Sequence, residues 1–178
     1  MTVEDISPFS YPVKVQSLPS KGRLETFEAD DGVAHKIAKE NQLIAVESFV
    51  ATAHVTPWKR DGVSVSGKVS AKLVQHCAIS GEPLNTAVEE SFEMLFVPDG
   101  SKLAKPRRSN DREWVIDPEC DDVPDTFTGG TIDLAGPWLE IFVLGLDPFA
   151  RAEGAELAAD AIEDVAESPF AALAQLKQ

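Results

Sequence analysis

The side chains able to do nucleophilic or metal chemistry are few in this sequence. They are His35, His54 and His76, with Cys77 and Cys120. His76 and Cys77 are adjacent, and a cysteine beside a histidine is the raw material of a thiolate–imidazole pair. Both fall in a segment that alternates like a strand, where neighbouring side chains point to opposite faces, so the pair is not expected to form. His54 lies on a second strand-like segment, which makes a His54/His76/Cys77 metal set conceivable. Its spacing supplies neither a fourth ligand nor a recognisable zinc pattern, and no metal or other cofactor is expected. There is no glycine-rich phosphate loop, no H-E-x-x-H and no G-x-S-x-G. No catalytic residue is assigned, and the chain is read as a non-enzyme.

The other candidate chemistry is charge. Residues 98–111, PDGSKLAKPRRSND, carry Lys102, Lys105, Arg107 and Arg108, with Arg112 just after. This is the one basic cluster. Lys68 and Lys72 add positive charge to the polar side of a strand, and Lys59 and Arg60 stand at the turn before it. Such groups can bind phosphate oxygens, although a solvated polar loop needs no ligand to explain it. The net charge of −14 is unevenly placed. Residues 1–110 balance to −1 and residues 111–178 to −13. The acidic part repels phosphate backbones and attracts basic proteins.

These groups need a scaffold, and periodicity supplies one. Residues 10–18 read as a strand, and residues 23–29 as a second, short one. Asp30 or Asp31 caps a helix to about Asn41 with Val33, Ala34, Ile37 and Ala38 inward. Residues 43–57 form a long strand in which Phe49, Ala51, Ala53 and Val55 share a face. Asp61-Gly62 signals a hairpin. Residues 63–75 answer with Val63, Val65, Gly67, Val69, Ala71 and Leu73 on one face. Residues 84–97 form a third strand, with an irregularity expected near Glu89-Glu90. Residues 127–132 read as a short edge strand leading into the most apolar run of the chain, residues 131–148. There Asp133 caps a helix with Leu134, Trp138, Ile141, Phe142 and Gly145 on one face. Because Leu139, Val143 and Leu146 cover much of the opposite side, this helix is expected to be buried all round. Glu140 and the shortness of the run argue against a membrane span. The first residues do not read as a secretory signal, and a cytoplasmic location with reduced thiols is expected.

The fold class expected is α+β: a curved antiparallel sheet, a partly barrel-like meander, with a buried central helix and a short C-terminal helix over residues 168–177. An open sheet with helices on one face is the alternative. One domain over residues 1–178 is expected, with residues 152–167 as a mobile acidic segment.

The order of several segments resembles the YceD family of large ribosomal RNA subunit accumulation proteins of bacteria and plastids. A strand runs into the turn Val74-Gln75-His76-Cys77-Ala78-Ile79-Ser80-Gly81-Glu82-Pro83-Leu84. The next ends in Phe92-Glu93-Met94-Leu95-Phe96-Val97-Pro98. Ile132-Asp133-Leu134, the helix with Glu140, and Leu144-Gly145-Leu146-Asp147-Pro148 follow, and the chain closes with Ser168-Pro169-Phe170-Ala171-Ala172-Leu173-Ala174-Gln175-Leu176-Lys177. The resemblance covers roughly residues 45–178. It departs from the family where Ser80 replaces the second cysteine of a C-x-x-C, and where residues 149–154 carry no cysteine. What it implies is a non-enzymatic role in the accumulation or processing of 23S-type ribosomal RNA. The partner is then either that RNA, met through Lys102, Lys105, Arg107, Arg108, Arg112, Lys68 and Lys72, or a basic ribosomal protein held by the acidic part. An acidic interaction module unrelated to ribosomes and a small-molecule binder or enzyme are the alternatives.

Overall fold

The computed structural model describes residues 7–104 and 124–156. Its largest feature is an antiparallel meander. Strand β3 (Ala45–Trp58) turns through Lys59-Arg60-Asp61 into β4 (Gly62–His76), and β4 turns into β5 (Pro83–Pro98). Strand β2 (Arg23–Glu28) pairs antiparallel with β3, and the short β6 (Asp125–Phe127) pairs parallel with the end of β5, giving the order β2-β3-β4-β5-β6. The sheet is curved and open. The barrel-like closure expected from sequence is not formed, because β2 and β6 stay at opposite edges.

Alternation decides the faces. Phe49, Ala51, Ala53 and Val55 of β3, Val63, Val65, Val69, Ala71 and Leu73 of β4, and Val88, Phe92 and Phe96 of β5 are buried together. Ser64, Ser66, Lys68, Ser70 and Lys72 lie on the other, more open face. A half-covered antiparallel sheet has this pattern. The irregularity expected at Glu89-Glu90 is absent: Val69 faces Glu90 and Ser70 faces Glu89 in unbroken register. The register shift lies instead between Val46 and Ser48 of β3. Val46 and Phe49 are both buried, three residues apart, so Glu47 is the extra residue that lets both face the core.

Two helices cover the apolar face. Helix α1 (Asp31–Glu40) starts where the Asp30 carboxylate accepts from the Val33 N–H at 2.8 Å, and it buries Ala34, Ile37 and Ala38. Helix α2 (Ala135–Leu144) buries Ala135, Trp138 and Phe142 into the same core. Its burial is one-sided, against the expectation of a helix enclosed all round. Val143 is 46% and Leu144 74% exposed, because the sheet lies on one flank and no described residue covers the other. Gly145 sits at its end beside β5, where a Cβ would come within 2.6 Å of Val88 Cγ1.

The N-terminal strand does not join the meander. Residues expected as one strand over 10–18 divide into β1 (Pro12–Lys14) and a 3-10 turn at Val15–Ser17. β1 pairs with β7 (Thr131–Asp133), which with β6 replaces the single edge strand expected over residues 127–132. Asp133 ties this corner. Its Oδ1 accepts from the N–H of Tyr11 at 2.7 Å and of Ala135 at 3.0 Å, and its Oδ2 accepts from Ser10 Oγ at 2.6 Å. Asp133→Ala therefore leaves a strand donor and a helix-start donor without this acceptor. The expected cost is about 1–2 kcal/mol in urea unfolding, with Asp133→Asn, which keeps a side-chain oxygen, costing less. Equal midpoints for wild type and Asp133→Ala would show that the corner holds without it.

The terminal helix expected at residues 168–177 and the part of the acidic segment beyond residue 156 lie outside the described residues. No described helix is long and apolar enough to cross a membrane.

Candidate functional site

Of the seven basic residues expected to bind, Lys105, Arg107, Arg108 and Arg112 lie outside the described residues. The other three are strung along the meander, not gathered. Lys72 stands opposite Ala87 of β5, Lys68 opposite Ser91, and Lys102 lies past the far end of β5 in a 3-10 turn, Lys102–Ala104. At about 3.3 Å per residue, Lys68 and the end of β5 are separated by roughly 23 Å along the strand. Lys68 also pairs with Glu89, an ion pair across the exposed face. The Lys68 ammonium, by hydrogen bond and by charge, holds the Glu89 carboxyl below its ordinary range. Glu93 lies on the same face of β5, so the polar side of the sheet has mixed charge.

The histidines are dispersed by register. His54 faces Ser66, ten residues along β4 from His76, which puts the two roughly 33 Å apart along the strand. The His54/His76/Cys77 set is therefore not formed. His76 is exposed with Nδ1 2.9 Å from the Gly81 carbonyl oxygen, while Cys77 is 2% exposed, the opposition that alternation predicts.

Cys77 is nonetheless held in a definite setting. Its N–H donates to the Glu82 carbonyl, its carbonyl accepts from Gly81, and its Sγ accepts from the N–H groups of Ser80 and Ala152, each at 3.5 Å. These donors, the Ser80 hydroxyl first and then the backbone N–H groups of Ser80, Ala152 and Ile79, lower the thiol to about 6. An unfolded cysteine titrates at about 8.5. Between those values the folded chain holds fewer protons than the unfolded one, so the Cys77 contribution is present above the unfolded value and is lost as pH falls through 6. The urea midpoint of wild type minus that of Cys77→Ala is expected to grow from pH 6 to pH 9. A flat difference would mean that the sulfur stays protonated.

Next to this turn lies a cleft of about 330 Å³, lined by Gln75, Leu84, Thr86, Ala87, Val88, Gly145, Leu146, Asp147, Ala150 and Arg151. Gln75, only 8% exposed, donates from Nε2 to the Asp147 carbonyl at 3.3 Å. Thr86 Oγ1 is buried and has no hydrogen-bond partner. Thr86, Ala87 and Val88 are consecutive, and consecutive strand residues point to opposite faces. That all three line the cleft means the backbone edge of β5 lines it too. Sequence reasoning missed this place. The signal available was Thr86, a polar residue in phase with Val88 and Phe92 on the apolar face.

No family model, curated protein or solved structure matches this chain.

Proposed function

We propose that this chain is a non-catalytic factor of large ribosomal subunit biogenesis, supporting the accumulation or processing of 23S-type ribosomal RNA by holding a basic ribosomal protein. The ribosomal part of the reading rests on the order of segments through residues 73–98 and 130–150. The choice of a protein over direct RNA contact rests on one observation, the engagement of Lys68 by Glu89 on the sheet face that would otherwise present cations to phosphate. A surface on which a carboxylate already holds one of its two lysines gains less from phosphate, since Lys68 must first give up Glu89. The −13 balance of residues 111–178 favours the same kind of partner.

The test is an affinity pull-down from the native cells of tagged wild type and of a variant neutralised at Lys102, Lys105, Arg107, Arg108 and Arg112. Basic ribosomal proteins are expected from both. Large-subunit precursor RNA recovered with wild type and lost with the variant would assign direct RNA contact to those five residues. Recovery of neither would end the ribosomal reading.

A further inference from the structure

We infer that the open edge of β5 binds an extended, lysine- or arginine-bearing segment of a partner protein as an added strand. The inference rests on the protein-partner reading above and names the surface.

β5 is paired with β4 along its length, from Pro83 opposite His76 to Phe96 opposite Val63. On its other side β6 meets only Phe96, Val97 and Pro98. Residues 83–95 therefore have no strand beside them among the described residues, an edge of roughly 40 Å. Along it, alternate backbone N–H and C=O groups point away from β4, and such a row is a template for strand addition. The opposite edge of the sheet is a weaker candidate: β2 is six residues long, and its Arg23 and Glu25 pair with each other.

Charge selects the occupant. β5 carries Glu90 and Glu93, with Glu82 just before it and Glu89 shared with Lys68, and no lysine or arginine between Pro83 and Pro98. Two copies of this edge repel one another. Residues 117–124 of the chain itself, DPECDDVP, are acidic and contain two prolines without N–H groups, which suits them poorly to residues 83–95 of this edge. A basic strand is complementary in both hydrogen bonding and charge. The cleft adds a receptacle at the Thr86–Val88 end for the apolar stem of a side chain of the added strand, lined by Val88, Leu146 and Ala150 with Asp147 and Arg151 at its margin.

The test uses the full chain and a defined probe, the capped peptide Lys-Val-Lys-Val-Lys-Val-Lys. Three comparisons accompany it: the same peptide N-methylated at each valine, the Glu-Val counterpart, and a Glu89→Gln/Glu93→Gln double variant of the protein, whose two carboxylates share the open face of β5. Amide shifts in labelled protein are expected to centre on residues 83–95. N-methylation, which keeps charge and removes main-chain donors, is expected to weaken binding at least about tenfold. The Glu-Val peptide is expected not to bind, and each glutamine to cost about twofold to fivefold. Equal binding of the N-methylated peptide, shifts centred on residues 111–178, or no binding at millimolar peptide would each overturn strand addition. Because the probe contains nothing ribosomal, peptide binding at β5 without ribosomal proteins in the pull-down would remove the ribosomal reading alone. Ribosomal proteins recovered without peptide binding would remove the β5 edge alone.

Discussion

Trp138→Ala is expected to lower the free energy of unfolding by about 3–5 kcal/mol, a large part of the stability of a domain this size. Trp138 is fully buried in the first turns of α2. Its ring centroid lies 5.0 Å from that of Tyr11 and 6.0 Å, stacked, from that of Phe27, which in turn stacks on Phe9 at 4.2 Å. It thus joins three separate pieces of chain: the N-terminal strand, the β2 edge and the helix. Truncation removes the apolar contact of an indole and leaves a cavity that two rigid rings and a sheet cannot close. The indole Nε1 has no hydrogen-bond partner. Trp138→Phe therefore discards a group whose burial is itself costly, and it is expected to lose less than about 2 kcal/mol despite the smaller ring. Urea unfolding followed by far-ultraviolet circular dichroism measures both. A Trp138→Ala loss under about 1 kcal/mol, or a Phe variant worse than the Ala variant, would show that α2 does not seal this end of the core.

The parts of the fold legible in sequence are those set by local alternation over a half-covered surface. Phe49, Ala51, Ala53 and Val55, and Val63 through Leu73, were assignable to one face because every second residue answers the same question: water or core. The bulge was expected in the wrong place: Glu89-Glu90 broke only the composition, whereas the step of three between buried Val46 and Phe49 is what breaks the period of two. Glu90 stays in phase on the covered face and reaches the margin beside Gly145, where the helix ends. What could not be read is pairing across distance. Nothing local to Val13 says that it lies opposite Ile132, and nothing in residues 131–148 says how many sides of an apolar helix will be covered. The site followed the same division. Lys68 and Lys72 were placed on the correct face of β4, but the pairing of Lys68 with Glu89 depends on register, and the edge that β5 leaves open among the described residues depends on how short β6 is.

Gly67→Ala is expected to be the most damaging single-methyl change in the meander, costing about 3 kcal/mol or more and lowering soluble yield. Gly67 is at the middle of β4, opposite Ala53 of β3 on one side and Phe92 of β5 on the other. A Cβ there would fall well inside contact distance of the Thr52 carbonyl oxygen and come to 3.0 Å from Ala53 Cα. Both obstacles are backbone of a central, paired strand, so neither can turn away as a side chain would. The small residues Ala51, Ala53, Gly67 and Ala71 also set the level of this face, beneath the bulkier Phe49, Trp138 and Phe142 that fill the core above it. Raising the middle of that floor would part β3 from β4, and with them the register that presents β5. The comparison is Ser70→Ala, three residues along on the open face, expected within about 0.5 kcal/mol of wild type. Thermal and urea unfolding of both variants decide it. A Gly67→Ala protein as stable as Ser70→Ala would mean that β3 and β4 separate more easily at Thr52 than close strand pairing allows, and the register on which the β5 edge depends would need to be redrawn.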